Sequence, residues 1–223
     1  MTKNLRPQGI LWDLDNTLYR LDEALEHAFN VAVARAAINL GVDMAFEDAK
    51  ILAHQSWLQH RFSSHEFIVR YNLSRVDLHH EVDRMLVGTL VEKCQETRDL
   101  FDRIGLSHAL ITHAARPWAL RTLDHLELKP HFPDHRIFAY EDFEFESKAH
   151  SRRSFITALD AIGIDAGASM MVEDTVDNLR VPHEMGMTTI LLHHGQKKAE
   201  YPAFVDYAFA NARELLATLM AAR

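Results

Sequence analysis

Short apolar runs alternate with amphipathic stretches along most of this chain. Apolar runs bounded by turn residues predict strands that are buried on both faces. Amphipathic stretches between them predict helices, among them 118–126, 148–162 and a terminal helix from Asn211. Single helices between strands indicate right-handed crossovers and a parallel sheet covered on both faces. The pattern therefore predicts an α/β, Rossmann-like three-layer core with strands at 9–12, 109–112, 136–139, 169–172, 188–192 and 205–209.

The stretch 21–90 differs, because it contains helical periodicity and no clear strand. Leu25, Phe29, Ala32 and Ala36 recur at helical spacing, and further helices are predicted at 46–59, 65–71 and 77–87. We therefore predict an all-helical cap at 21–90, inserted after the first strand of a core formed by 1–20 and 91–223. Such a cap could exclude water from the edge of the sheet while admitting a substrate.

Composition narrows the classes of partner. The 223 residues carry 24 Lys and Arg against 32 Asp and Glu, a formal charge of −8, which argues against binding of a nucleic acid polymer or an anionic membrane surface. No apolar stretch approaches 18 residues and no signal peptide is evident, so a cytoplasmic protein is predicted. Cys94 is the single cysteine, which excludes an intrachain disulfide, and its amphipathic surroundings predict that it is buried.

Fifteen histidines raise the question of a metal site. They are scattered, and the His-Glu-x-x-His spacing of zinc proteases does not occur. Most are therefore interpreted as surface or partly buried side chains.

Pairs of acidic residues directly follow two of the predicted strands. Asp13 and Asp15 follow the strand 9–12, and Glu173 and Asp174 follow the strand 169–172. An ordinary Asp/Asn turn is the alternative interpretation of the first pair. Open parallel sheets bind ligands at the carboxyl ends of their strands, where carboxylates repel one another unless a cation joins them. The two pairs together predict a site for a hard, oxygen-liganded cation.

The run Asp13-Leu14-Asp15-Asn16-Thr17-Leu18-Tyr19 resembles the first motif of the haloacid dehalogenase-like (HAD) hydrolases, especially the pyrimidine 5'-nucleotidase group within them. Glu173-Asp174, with Asn178 behind it, resembles their fourth motif. The resemblance extends from Gly9 to about His194. It implies an Mg²⁺-dependent reaction through an aspartyl-phosphate and predicts two further motifs between these.

Thr112, at a predicted strand end, resembles the second-motif hydroxyl residue that binds a phosphate oxygen. His113 stands where the family usually has Asn, so it is expected either to orient the site or to touch the substrate. Lys148, predicted to open a helix, lies in the window of the third-motif cation. Lys129 comes too early in the order, and Arg152 is the alternative cation.

The resemblance implies a role for each of these residues. Asp13 is the nucleophile, and Asp15 protonates the leaving alcohol and then activates water. Mg²⁺ is held by Asp13, the backbone carbonyl of Asp15 and Asp174, while Glu173 is either a ligand or a partner of the metal's waters. The transferring phosphoryl oxygens are held by Thr112, Lys148 and the backbone N–H groups around Asn16, with His113 as a further candidate.

The first motif predicts a pyrimidine nucleoside 5'-monophosphate as the substrate. A sugar-phosphate or phosphoglycolate-type phosphatase and a phosphomutase are the alternatives, and a non-catalytic HAD-fold binding protein is a third class. Haloacid dehalogenase activity is disfavoured, because related dehalogenases lack the acid at the position of Asp15. The residues of the insert that could contact a substrate, or could equally be packing residues, are Trp57, His60, Arg61, Phe62 and Tyr71.

Overall fold

The structure is a computed structural model that describes residues 5–60, 62–86, 88–89 and 91–222. The chain forms two compact units, of which the first comprises Met1–Arg20 and Glu92–Arg223 and the second comprises Leu21–Val91. Val87 and Leu90, where the sequence predicts the end of the fourth insert helix and of the insert itself, lie outside the described residues.

The first unit is built on a six-stranded parallel sheet. The strands are β1 (Gly9–Trp12), β2 (Ser107–Ile111), β3 (Ile137–Phe138), β4 (Ser169–Glu173), β5 (Thr188–Leu192) and β6 (Tyr207–Phe209). Their order in the sheet is β3-β2-β1-β4-β5-β6, so β1 lies in the interior between β2 and β4. The predicted α/β fold is thereby confirmed.

The helices fall into both units. The insert contains α1 (Glu23–Asn39), α2 (Phe46–His60), α3 (His65–Tyr71) and α4 (Arg75–Met85). The first unit contains α5 (Gln95–Ile104), α6 (Arg116–His125), α7 (Arg153–Ile162), α8 (Arg180–Glu184) and α9 (Ala212–Ala221).

Alternation along β1 explains why the sheet is buried on both faces. Leu11 belongs to a core cluster with Phe155 of α7, whereas the ring of its neighbour Trp12 lies 5.1 Å from that of Phe101 on α5. Successive side chains of a strand point to opposite faces, so each face of β1 is covered by a different helix. Gly9 fits this crowding, because an added Cβ would lie 2.4 Å from Cδ1 of Ile164.

The insert has an apolar core of its own. Small and medium side chains of α1 and α2 pack with Phe67 of α3 and Leu78 of α4, both fully buried. Asp22 begins α1 by accepting a hydrogen bond from the backbone N–H of Leu25 over 2.8 Å, which satisfies one of the unpaired donors of a helix start. Asn72 ends α3 in the left-handed conformation.

Three local predictions are corrected. Lys148 does not open a helix: it lies in a turn, because Ser151 accepts a hydrogen bond from the N–H of Arg153 and α7 begins only there. The strand predicted at 136–139 is reduced to β3, since the N–H of Ala139 donates to Asp142 instead of a strand. Cys94 is exposed rather than buried, because it precedes α5 and lies outside its apolar face.

Two further observations concern histidine burial and membrane spans. His108 on β2 is 2% exposed, so the general expectation of exposed or partly buried histidines fails there. Its Nδ1 accepts a hydrogen bond from the indole N–H of Trp12 over 3.1 Å, which allows an imidazole to lie in the core. Across the described ranges, no helix has both the length and the apolar character needed to cross a membrane.

Candidate active site

Three carboxylates gather at the carboxyl ends of β1 and β4. Trp12 pairs with Val172, so Asp13 follows β1 at the level where Glu173 ends β4 and Asp174 follows it. One carboxylate oxygen from each of these three acids lies within 4.8 Å of the others. Register between adjacent parallel strands thus brings Asp13 together with Glu173 and Asp174, which stand 160 and 161 residues later in the chain.

Lys148 supplies positive charge to this cluster. Its Nζ donates to Asp13 Oδ1 over 2.5 Å, to Glu173 Oε2 over 3.1 Å and to the backbone carbonyl of Ile111 over 3.1 Å. The residue is 2% exposed. Burial by itself would lower the pKa of Lys148, but the charges of Asp13 and Glu173 outweigh burial and raise that pKa above its ordinary value. Lys148 therefore remains charged.

Glu173 is held from two sides. Its Oε1 accepts from the side-chain amide of Asn178 over 2.5 Å, while its Oε2 accepts from Lys148. Burial and the nearby charge of Asp13 raise the pKa of Glu173 well above its ordinary value. Both oxygens thus already have protein partners, which favours a role in positioning Lys148.

Asp174 is positioned by Asn16, which follows the first acidic pair. The Asn16 side-chain amide donates to Asp174 Oδ2 over 2.8 Å. Burial and the charge of Asp13 raise the pKa of Asp174 to about 7. Asn16 has a positive φ of 56°, a conformation that asparagine tolerates better than most residues, and this turn directs its side chain toward β4.

The donor set of this cluster fits Mg²⁺. Asp13, Glu173 and Asp174 offer only carboxylate oxygens, the ligand type that a hard divalent cation prefers. In their ionised forms they carry three negative charges against the single positive charge of Lys148, and burial makes that imbalance costly. A divalent cation held by Asp13 and Asp174 would remove it.

Asp15 does not point into the carboxylate cluster. Its Oδ1 accepts hydrogen bonds from the hydroxyl of Tyr19 and from the indole N–H of Trp118, the latter over 2.9 Å. Burial and the charge of Asp13 raise the pKa of Asp15 to about 6, although the two hydrogen bonds act in the opposite direction. A carboxyl with such a pKa can release and take up a proton near neutral pH.

The second-motif residues lie next to Lys148. Thr112 is buried, and its Oγ1 accepts from the N–H of Ala114 over 2.9 Å, which leaves the hydroxyl hydrogen to be donated. The backbone N–H of Lys148 donates to Nε2 of His113 over 3.0 Å. This bond links His113 to the turn that carries Lys148, and its role in orienting the site or touching the substrate stays a prediction.

The alternative cations have other partners. Lys129 donates to Asp134 and to the carbonyl of Phe132, while Arg152 is exposed and lies 3.7 Å from Glu184. Among the residues with described positions, Lys148 is thus the one of the three candidate cations that contacts Asp13.

The suggested substrate contacts of the insert stay predictions. Trp57 and Phe62 are half-buried within the insert, whereas His60 and Tyr71 are exposed. Arg61 lies outside the described residues.

The structure adds several residues to the site that the sequence does not predict as site residues. Tyr19 and Trp118 hold Asp15, and His194 lies with Nε2 2.5 Å from the backbone carbonyl of Asn16. The sequence predicts Asn178 only as a later polar position of the fourth motif. Trp118 lies on an amphipathic helix, where an indole looks like a core residue, whereas Tyr19 could have been suspected because it stands four residues after Asp15.

Known proteins resemble this chain over nearly its whole length. Residues 7–186 match the family model for haloacid dehalogenase-like hydrolases. Glyceraldehyde 3-phosphate phosphatase of Methanocaldococcus jannaschii is 27% identical over 226 residues, which cover 94% of this chain and 95% of that protein.

Solved structures share the fold at low identity. A HAD hydrolase of family IA, variant 3, from Entamoeba histolytica is 18% identical with a TM-score of 0.67, covering 96% of this chain and 99% of that one. An L-2-haloacid dehalogenase is 15% identical with a TM-score of 0.61, covering 96% and 99%. The pyrimidine 5'-nucleotidase subgroup receives no support from these relatives. The family match extends over most of the chain, which shows that this chain belongs to the haloacid dehalogenase-like hydrolases.

Proposed function

We propose that this protein is an Mg²⁺-dependent phosphatase that hydrolyses a small sugar-phosphate type phosphomonoester through an aspartyl-phosphate. The observation that carries the proposal is the environment of Asp15. Its carboxyl has a pKa raised to about 6 and is held by Tyr19 and Trp118 beside Asp13. An alkoxide leaving group needs a proton donor at this place, whereas a halide does not. The shared fold by itself does not separate the two chemistries.

The chain's own residues account for the first half of the reaction. The Asp13 carboxylate attacks phosphorus, so that its bond to phosphorus forms as the bond from phosphorus to the alcohol oxygen breaks. Asp15 transfers its proton to that oxygen and the alcohol leaves. Lys148 and the hydroxyl of Thr112 stabilise charge on the transferring oxygens, which is the larger part of catalysis in phosphoryl transfer.

The second half regenerates the enzyme. Asp15, now ionised, takes a proton from a water molecule that attacks the aspartyl-phosphate, and Asp13 and inorganic phosphate are released. Glu173 and Asn178 keep Lys148 in place throughout. When bound, Mg²⁺ would neutralise negative charge, so that the phosphate dianion can approach the carboxylates, and it would orient the phosphate oxygens.

The sugar-phosphate class replaces the pyrimidine nucleotide predicted from the first motif. The supporting relative is named a glyceraldehyde 3-phosphate phosphatase, whereas the nucleotide prediction depended on seven residues around Asp13. Those residues act on the phosphoryl group and the metal. The phosphoryl group is common to all substrates of such enzymes. The first motif therefore says little about the alcohol part of a substrate.

A substrate panel tests the proposal. Release of inorganic phosphate would be measured with Mg²⁺ for glyceraldehyde 3-phosphate, phosphoglycolate, hexose phosphates, UMP and CMP. We expect a sugar phosphate or phosphoglycolate to exceed both nucleotides at least tenfold in kcat/KM. The reverse order would overturn the substrate class. Isomerised sugar phosphate without phosphate release would indicate a phosphomutase instead.

Loss of the nucleophile provides the matched control. Asp13→Asn should abolish phosphate release from every substrate of the panel. If Asp13→Asn and the wild type released phosphate equally slowly, the chain would be a non-catalytic binding protein of this fold. The presence of Asp13, Asp15 and Asp174 together supports an enzyme over a non-catalytic binding protein.

A further inference from the structure

A second cluster of metal-binding side chains lies in the helical insert. His60 is the last residue of α2, and His65 and Glu66 are the first two residues of α3. One ring nitrogen from each histidine and one carboxylate oxygen of Glu66 lie within 4.8 Å of one another. We propose that His60, His65 and Glu66 bind a transition-metal dication of the Zn²⁺ class, separately from the Mg²⁺ of the catalytic cluster.

The geometry brings the three donors to one point. His60 Nε2 lies 3.1 Å from Glu66 Oε1, which is a separation that two ligands of one metal ion also adopt. The imidazole rings of His60 and His65 are stacked, with centroids 3.9 Å apart and planes inclined by 24°. Small rotations of the two rings would therefore direct one nitrogen of each, together with Oε1 of Glu66, at a single ion.

The ligand types select the metal. Two imidazole nitrogens and one carboxylate form the protein ligand set of open zinc sites, in which water takes the fourth position. Imidazole favours Zn²⁺, Cu²⁺ and Ni²⁺ over Mg²⁺, which prefers oxygen ligands. The carboxylate cluster of Asp13, Glu173 and Asp174 offers three carboxylates and no imidazole. The two clusters are thus chemically distinguishable.

The surroundings hold Glu66 in position before any ion binds. Its side chain is 10% exposed and forms an ion pair with Arg70. Its backbone N–H donates to Ser56 Oγ over 3.3 Å, and that hydroxyl donates to the carbonyl of Phe62 over 2.7 Å. These bonds tie α2 to the start of α3, and partners that fix a ligand in this way raise the affinity of a metal site.

The site is accessible from solvent. His60 is exposed, His65 is half-buried and Glu66 is buried. An ion can therefore reach the ring nitrogens from solvent and bind the carboxylate of Glu66 on its buried side. A bound ion would join the end of α2 to the start of α3 by three bonds. We therefore expect it to stabilise the junction between these helices.

Zinc binding to the full-length protein tests the proposal. After treatment with EDTA, Zn²⁺ would be titrated by calorimetry into the wild type, His60→Gln and His65→Gln, and into His80→Gln as a control histidine on α4 of the same insert. Because the catalytic carboxylates can also bind Zn²⁺, the titration is repeated on Asp174→Asn. We expect one zinc equivalent to persist in Asp174→Asn and to weaken at least tenfold in His60→Gln and His65→Gln, but not in His80→Gln.

The histidine side chains give a readout that does not depend on activity. Long-range ¹H–¹⁵N spectra should show zinc-dependent shifts of the ring nitrogens of His60 and His65, while those of His80 stay unchanged. Unshifted His60 and His65 rings, or equal zinc affinity in the wild type and both glutamine variants, would overturn the proposal. Circular dichroism of each variant verifies the fold, and the exposed position of His60 makes His60→Gln the safer of the two substitutions.

Discussion

The indole N–H of Trp118 donates a hydrogen bond to Oδ1 of Asp15 over 2.9 Å, across 103 residues of sequence. The hydroxyl of Tyr19 donates to the same oxygen. Two donors on one oxygen restrict rotation of the carboxyl, so its orientation is set before a substrate arrives. We regard Trp118 and Tyr19 as positioning residues for the proton transfer.

Trp118→Phe should slow the chemical step and shift its pH dependence. Loss of a hydrogen bond to a charged group costs about 1.5–3 kcal/mol, so kcat is expected to fall about 10- to 100-fold with little change in KM. The bond lowers the pKa of Asp15, and its removal raises that pKa. The step that needs protonated Asp15 is lost as pH rises through this pKa, so its alkaline limit should move to higher pH.

The pH profile of kcat separates positioning from a packing defect. Tyr19→Phe should move the alkaline limit of kcat in the same direction. Tyr201→Phe serves as the matched control, because the hydroxyl of Tyr201 accepts its hydrogen bond from the N–H of Lys198. A drop in activity with an unmoved profile would mean that Trp118 only fills space.

Removal of Lys148 should affect activity and stability together. In Lys148→Met, Asp13 and Glu173 remain buried without their cation, and we expect kcat to fall about 10²- to 10³-fold. Unfolding free energy at neutral pH without Mg²⁺ should fall by about 3–5 kcal/mol, as for other broken buried ion pairs. Phosphate release and urea unfolding measure the two effects.

A second substitution distinguishes the two effects of Lys148. Lys148→Met/Glu173→Gln removes one uncompensated charge, so part of the stability should return while activity does not. Arg152→Gln is the control, since Arg152 is exposed and faces Glu184. If Arg152→Gln lost more activity than Lys148→Met, the assignment of the cation would be wrong.

Asn16 should determine how tightly Mg²⁺ binds. Asn16→Gly keeps the positive φ but removes the amide that donates to Asp174, and losses of this kind weaken metal affinity about 10- to 100-fold. The Mg²⁺ concentration that gives half-maximal activity measures this affinity. EDTA should abolish activity, and added Mg²⁺ should restore the activity. Asn72→Gly, at another asparagine with positive φ, should leave this concentration unchanged.

Mg²⁺ affinity should also fall in acid. The pKa of Asp174 is raised to about 7, and a proton on this carboxyl competes with the ion. As the pH falls from 8 to 6, the Mg²⁺ concentration that gives half-maximal activity should therefore rise. The amide of Asn16 lowers the pKa of Asp174, so in Asn16→Gly the rise should begin at higher pH. A constant value across this range would exclude Asp174 as a ligand.

His108 should make the protein sensitive to acid. Burial lowers its pKa from 6.5 to about 3, so between these values the unfolded chain binds a proton that the folded protein does not. Stability contributed by neutral His108 is thus lost as pH falls below 6.5, by about 1.4 kcal/mol per pH unit. Urea unfolding at pH 7.5, 6 and 5 measures this slope.

His108→Gln keeps an acceptor near Trp12 but cannot titrate. We expect a flatter dependence of unfolding free energy on pH in this variant, whatever its stability at pH 7.5. His80→Gln should retain the wild-type slope because His80 is exposed. Equal slopes in all three proteins would show that His108 does not carry the effect.

The sequence by itself determined the fold class and the acidic half of the site. Apolar runs with single helices between them specify a parallel sheet, and topology then brings the carboxyl ends of neighbouring strands together. Asp13, Glu173 and Asp174 could be expected at one edge of the sheet because each lies at or next to the carboxyl end of a predicted strand.

Tertiary packing decided which donors hold these acids. Trp118 looks like an ordinary helix residue in the sequence, and Asn178 is recognisable there only as a later polar position of the fourth motif. A periodicity indicates whether a side chain is buried but not which polar group it meets. The same holds for the zinc-type cluster of His60, His65 and Glu66, whose donors converge only when α2 and α3 pack. Lys148 was located by its place in the motif order, yet its bonds to Asp13 and Glu173 depend on a turn that the helical pattern around it concealed.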